Sequence, residues 1–326
     1  GLVITIIEAP CMMAYATIIF RDHYFQAAMP QLVKLVLFSS AVHQLCMALF
    51  SSMPFAVGQV QDAGLIFLSS MATTVVATLA ATHSEPTVLA SVLCCLALCT
   101  TSLGAAVWLV GRLKLARLVQ FLPMPVIGGY LAFIGWFCIE GGISISAGVS
   151  VAGPSDWLKV TGDDWFRVIP AALIGVAFLL LCRRFSDPHP FAMAVLPVGL
   201  VSVPIMFYVL LACTGISLQE AQDRQWVMQP QNTSGSGQTP AFWTPFLAYN
   251  PSIADMAALP KLVTTWLAMV AIVAFSSSLD VAAIELDMGT SIDYDKELQL
   301  VGVSNMISGA TGGFTGSYII SSTTLA

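Results

Sequence analysis

The sequence predicts an all-α integral membrane protein with many spans, and three observations predict it. Of the 326 residues, 57% are hydrophobic and only 9% are charged, whereas a soluble domain carries about 25% charged residues. Apolar runs approach the ~20 residues that a spanning helix needs at 1–20, 30–52, 62–81, 87–110, 118–138, 166–182, 191–213, 261–281, 298–310 and from 316 onward. Two of these runs begin in polar, Gly-bearing sequence, as ordinary interhelical loops or as helices interrupted inside the membrane. A water-soluble surface cannot be built from so few charges, but a surface in contact with the lipid bilayer can.

The breaks between runs are polar or carry Gly and Pro. Arg21-Asp22-His23 ends the first run, and His83-Ser84-Glu85-Pro86 separates the third from the fourth. Arg112, Lys114 and Arg117 follow span 4, and Arg183 and Arg184 follow span 6. If every span crosses, both basic loops fall on one side, which the distribution of Lys and Arg marks as cytoplasmic. The segment Thr214–Pro260 then lies on the opposite side, where Asn232-Thr233-Ser234 forms a glycosylation sequon. The chain opens and closes inside apolar sequence, at Gly1-Leu2-Val3-Ile4 and Thr324-Leu325-Ala326, and is read as a fragment missing residues at both ends.

Several function classes are disfavoured. The net charge of −6 is spread over loops, and no basic patch suggests nucleic acid. None of the eight cysteines has CxxC spacing, so they read as small apolar residues rather than metal ligands. The four histidines are scattered. No cluster of His, Asp and Ser converges at one depth, which argues against a membrane-embedded enzyme; no catalytic residue, metal or cofactor is expected beyond a bound proton or Na+. A membrane sensor or receptor is the non-transporting alternative, and interrupted helices argue against it.

Spans 3, 9 and 10 are unusual. Span 3 follows Pro54-Phe55-Ala56-Val57-Gly58-Gln59-Val60-Gln61-Asp62-Ala63-Gly64, span 9 is short, and span 10 follows Ser308-Gly309-Ala310-Thr311-Gly312-Gly313-Phe314-Thr315-Gly316-Ser317-Tyr318. Irregular backbone survives at membrane depth only where protein or a water-filled cavity satisfies it. Paired interrupted segments point to a secondary transporter. A helix that starts within the membrane presents free N–H groups and the positive end of its dipole, so two facing starts make an anion site without a cationic side chain. Gln61, Asp62, Ala63 and Gly64 on one segment, and Gly316, Ser317, Tyr318 and Ile319 on the other, are the candidate substrate-binding residues. Thr315 and Ser317 add hydroxyls, for binding or for helix capping.

Asp280, after Ser276-Ser277-Ser278-Leu279 in span 8, is the leading candidate for a coupling ion. An acid at that depth costs on the order of 2.5–3.5 kcal/mol on insertion scales, so it faces a cavity or sits solvated at the membrane edge. With hydroxyls from Ser276, Ser277 or Thr315 it offers oxygen ligands to sodium; alone it takes a proton. Glu285, Asp287, Asp293, Asp295 and Glu297 are expected in a cytoplasmic loop. Asp62 caps a helix or binds a cation, and it would repel an anion held at the same terminus.

The run Asp293-Tyr294-Asp295-Lys296-Glu297-Leu298, then Gly302, Asn305, Ser308-Gly309 and Gly312-Gly313-Phe314-Thr315-Gly316-Ser317, resembles the signature of the sulfate permease (SulP) anion-transporter family. Arg117-Leu118-Val119-Gln120-Phe121-Leu122-Pro123-Met124-Pro125-Val126-Ile127-Gly128-Gly129-Tyr130 resembles the start of that family's span 5, and Ala9-Pro10-Cys11-Met12-Met13-Ala14-Tyr15-Ala16 its span 1. The motifs run in order over nearly the whole chain, closest to microbial and fungal members around Gly316–Ile320.

The resemblance implies a uracil-permease-like fold of two inverted seven-helix repeats, with this chain covering about the first ten segments. It assigns residues 1–117 to the first half of a core domain, 118–213 to the first half of a gate domain, 214–260 to an extracytoplasmic loop and 261–326 to the truncated second half of the core. A homodimer and a cytoplasmic STAS or other C-terminal domain beyond the fragment are expected, in the plasma membrane or a vacuolar or other organelle membrane. The implied function is secondary active transport of a small inorganic anion, sulfate first, coupled to a proton or other cation, with sodium–bicarbonate symport or anion exchange as alternatives. Cys11 replaces the family's span-1 Gln near the substrate. Ile319 and Ile320 replace a Ser and an Arg, so the positive charge this Arg lends near the anion in several relatives is missing.

Overall fold

Helix starts and stops follow from a few residues. Pro30, Pro86 and Pro260 stand in the first turns of three helices, where a missing N–H leaves no bond unmade. The computed structural model describes residues 2–53, 55–116, 124–149, 154–160, 162–185, 192–224, 226–227, 251–289, 291–319 and 323. The sequon Asn232-Thr233-Ser234, residues 117–123 of the span-5 motif and Ile320 lie outside the described residues.

In chain order the helices are α1 (Leu2–Ile19), α2 (Met29–Phe50), α3 (Asp62–Leu79), α4 (Glu85–Arg112), α5 (Met124–Ala147), α6 (Gly162–Arg184), α7 (Ala192–Thr214), a short α8 (Leu218–Asp223), α9 (Leu259–Met288) and α10 (Tyr294–Ala310). Two three-residue strands, β1 (Gly58–Val60) and β2 (Gly316–Tyr318), stand just before α3 and some residues after α10. Six stretches among the described residues are long and apolar enough to cross a bilayer: Tyr24–Phe50, Asp62–Leu79, Glu85–Arg112, Asp164–Arg184, Pro197–Thr214 and Leu259–Glu285. The protein is an integral multi-pass membrane protein.

Three expectations are corrected. Span 8 does not end near residue 281: α9 runs to Met288 and closes on Gly289, whose left-handed φ of 66° suits glycine. Glu285 and Asp287 are therefore helical. Span 9 begins before residue 298, because Asp293 caps α10 by accepting the N–H groups of Asp295 (3.2 Å) and Lys296 (3.3 Å). Asp295 and Glu297 occupy the first turn, where acids favour the helix dipole; both are buried rather than in a solvated loop. Residues 316–318 form a strand, not the first turn of a helix. Helical bonding is seen further on, where the Thr323 N–H donates to the Ile319 carbonyl (2.9 Å).

The chain forms two compact units, one of Gly1–Pro10 with Ala132–Ser236 and one of Cys11–Leu131 with Gly237–Ala326. The unit boundaries thus fall within α1, within α5 and at Ser236.

In the first unit a small apolar cluster of Ala147, Val160 and Val168 is covered by Ile143, Val149 and Trp157. Trp157 stacks on Trp136 with ring centroids 5.7 Å apart. Helices α6 and α7 expose Leu173, Val176, Leu180, Val198, Ile205 and Val209, the apolar surface that lipid requires.

The second unit is built on α4, which is buried along most of its length and lies against α10 at backbone contact distance. A Cβ on Gly104 would stand 2.5 Å from the Met306 nitrogen and 2.6 Å from the Gly302 carbonyl oxygen. One on Gly302 would stand 2.5 Å from the Trp108 nitrogen. Glycine at both positions is what lets the two helix backbones touch.

Candidate functional site

The polar, Gly-bearing approaches to α3 and to the chain's last described residues meet as an antiparallel ribbon. Gly58 pairs with Tyr318, Gln59 with Ser317 and Val60 with Gly316, and the register continues where the Gln61 N–H donates to the Thr315 carbonyl (3.1 Å). Side chains alternate between the faces of a strand, so Gln59, Gln61, Thr315 and Ser317 share one face and Gly58, Val60, Gly316 and Tyr318 the other.

The first face looks onto α9. Ser317 Oγ donates to Ser277 Oγ (2.7 Å). Gln61 Nε2 donates to Ser276 Oγ (2.9 Å) and Asp280 Oδ2 (3.3 Å). Asp62 opens α3, directly after Gln61, and accepts the Ala63 N–H at 2.7 Å. Gly64 faces Thr315, whose methyl group occupies the space a Cβ would need. Three buried polar atoms on this face, Gln59 Oε1, Gln61 Oε1 and Thr315 Oγ1, have no hydrogen-bond partner among the described residues. No described lysine or arginine is buried. The result is a polar, acidic cluster with unused hydrogen-bonding capacity and, among the described residues, no buried positive side chain.

The second face is the anchor. Tyr318 is buried and its hydroxyl donates to Glu297, which also accepts Ser51 Oγ (3.0 Å), the Ser52 N–H (2.9 Å) and the Ser52 hydroxyl. In the loop before β2, Phe314 is held by side chains instead of backbone partners. Phe314 donates its N–H to Ser39 Oγ (2.9 Å), while its carbonyl accepts His43 Nε2 (2.9 Å) and Ser308 Oγ (2.9 Å). Asn305 brackets Gly316, accepting its N–H at 3.0 Å and donating to its carbonyl at 2.7 Å. This is how irregular backbone persists in an apolar setting: α2 and α10 satisfy it.

The structure brings Gln61, Asp62, Ala63, Gly64, Thr315, Ser317, Ser276 and Asp280 into one neighbourhood. Gly316 and Tyr318 belong to the same ribbon, but strand alternation turns the Tyr318 side chain to the opposite face. Ile319 donates its N–H to the Val57 carbonyl (2.9 Å), and Cys11 stands on α1, partly exposed. Sequence reasoning gave no role to Gln59, His43 or Asn305 and placed Glu297 in a loop. The period-2 spacing of Gln59 and Gln61 is the signal that pairs them once the segment is known to be a strand. Among the described residues no three His, Cys, Asp or Glu side chains gather as a metal site.

These features define a polytopic membrane protein of the broken-helix kind, with a polar site where two irregular segments cross. The chain belongs to the sulfate permease family, whose sequence model matches residues 1–326. Among curated proteins it is similar to the vacuolar basic amino acid transporter VSB1 of Saccharomyces cerevisiae (strain ATCC 204508 / S288c), at 21% identity over 322 residues, covering 96% of this chain and 30% of that protein. The chain thus spans about a third of its relative's length. Among solved structures it resembles the transmembrane domain of a cyanobacterium bicarbonate transporter BicA, with a TM-score of 0.59 at 16% identity over 98% of this chain and 75% of the other. It also resembles the overall structure of SLC26A9, with a TM-score of 0.58 at 14% identity over 100% and 49%. These likenesses establish the uracil-permease-like fold, and the family is one of permeases rather than enzymes.

Proposed function

We propose that this chain is membrane domain of a secondary active transporter working by alternating access, and that a cation must occupy its site in each cycle. The second unit acts as the core that carries the site and the first unit as the gate. The observation that carries this reading is the Gln61–Asp280 hydrogen bond beside Asp62, with no buried lysine or arginine among the described residues. On this reading a small inorganic anion, sulfate first, binds where the start of α3 meets the β2 segment. A proton or Na+ held by Asp280 with Ser276 and Thr315 supplies the missing positive charge. Bicarbonate with sodium is the alternative cargo within the same scheme.

A second reading makes the cation itself the cargo. Two acidic side chains, Asp62 and Asp280, in one neighbourhood favour it, and the similar yeast protein is described as a transporter of basic amino acids. Uptake by the full-length protein in proteoliposomes separates the two. Sulfate, bicarbonate, chloride, arginine and lysine are offered under imposed proton and sodium gradients. Gradient-dependent sulfate or bicarbonate uptake supports the first reading, and arginine or lysine uptake without anion uptake supports the second. Flux of none of them would overturn both.

A further inference from the structure

The unsatisfied atoms on the ribbon face have a chemical sign. Gln61 spends its N–H donors on Ser276 and Asp280; turning its amide over would set Oε1 against a carboxylate oxygen. Its Oε1 therefore points elsewhere, buried and unpartnered, as does Oε1 of Gln59 two residues back on the same face. With the acidic groups of Asp62 and Asp280 these oxygens give the face four acceptor groups, beside the one unpartnered hydroxyl of Thr315, which can donate or accept. Sulfate brings only acceptors of its own and would leave the glutamine oxygens unmatched, and bicarbonate has a single O–H to offer two of them. Residues two apart on a strand stand ~7 Å apart, a spacing that suits an extended set of donors better than a point charge. A guanidinium presents five N–H donors in a planar fork.

We infer that Gln59 and Gln61 are specificity-determining residues that accept N–H groups of a guanidinium or primary ammonium cargo while Asp280 and Asp62 neutralise its charge. This rests on the second reading above, in which the cation is carried. Gln59 is the better residue to test, because Gln61 also holds Asp280. Gln59→Leu keeps the bulk and removes the amide; Gln59→Glu keeps acceptor oxygens and removes the donor.

In proteoliposomes of the full-length protein, Gln59→Leu is expected to raise the KM for arginine about tenfold, the scale of one lost hydrogen bond to a charged group. It should raise the KM for lysine less, because an ammonium group has fewer donors to place. Gln59→Glu should keep arginine uptake within about threefold of wild type, since its acceptors remain. Melting in detergent checks that each variant is folded, and a purely structural role would not change the arginine-to-lysine ratio. If wild type carries arginine and Gln59→Leu leaves both KM values unchanged, the assignment of Gln59 is overturned while the cationic-cargo reading stands. Loss of arginine uptake in a folded Gln59→Glu would likewise overturn it. If wild type carries sulfate and neither binds nor carries arginine or lysine, the inference falls with the second reading and the cation-coupled anion reading survives.

Discussion

Asp280 owes its position to Gln61, which reaches across from the segment before α3 to bond both the carboxylate and Ser276. That bond ties the ribbon to α9 through a charge-bearing group, so removing the charge should be felt in transport before it is felt in folding. Asp280→Asn keeps the size of the side chain. It should cut gradient-driven uptake about a hundredfold, the equivalent of roughly 3 kcal/mol and the upper range for a hydrogen bond to a charged group, while the protein still inserts. Wild-type uptake with normal gradient dependence in that variant would end the role of Asp280. The two faces of the ribbon give a sharper contrast. Tyr318→Phe removes a donor to buried Glu297 and should destabilise the protein by about 1–3 kcal/mol, lowering its melting temperature in detergent with KM unchanged. Ser317→Ala, one residue away on the face toward α9, should do the reverse, raising KM with little change in melting. A transport defect from Tyr318→Phe at normal stability would mean that the faces are assigned wrongly.

The elements were legible in the sequence to different degrees, for physical reasons. Apolar runs gave most helices, because a lipid-facing helix must be apolar over its whole length. Both interrupted segments were legible as glycines beside apolar runs. The pairing of β1 with β2 was not, since no local pattern ties three residues to three others more than 250 positions away. The first turn of α10 was missed because Asp293, Asp295 and Glu297 look like loop by hydropathy, although capping and the dipole favour acids there. Gln61, Thr315, Ser317 and Asp280 were legible as candidates because polar residues beside apolar runs stand out, and the fold brings them together; Gln59 needed the register. The α4–α10 contact offers the clearest element-level test. Gly302→Ala places a methyl 2.5 Å from the Trp108 nitrogen, which is backbone and cannot swing aside. It should destabilise the protein by about 1–3 kcal/mol, the range for overpacked sites, read as a lower melting temperature. Gly129→Ala, where nothing lies within 4 Å of the added atom, is the control and should melt like wild type.

At the scale of the molecule, every residue of the site, from Gln59 and Asp62 to Asp280 and Ser317, belongs to the second unit. The alternating access proposed above then requires either that this unit open internally or that it move as a body. Internal opening would have to part α4 from α10, whose backbones touch at Gly104 and Gly302. It would also strain the bonds from Asn305 to Gly316, from His43 to Phe314 and from Tyr318 to Glu297. These contacts join α2, α4, α10 and β2 into one braced block, so motion as a body is the expected mode. Hydrogen exchange on the full-length protein can tell the two apart, because local opening raises exchange where buried hydrogen bonds break. Amides of α4 and α10 should be among the slowest to exchange, both without cargo and with saturating cargo. Cargo-dependent changes should instead fall at the unit boundary within α5, around Leu131–Ala132, and in the first unit. Faster exchange in α4 or α10 on adding cargo would show that the block opens internally and would rule out movement as a rigid body.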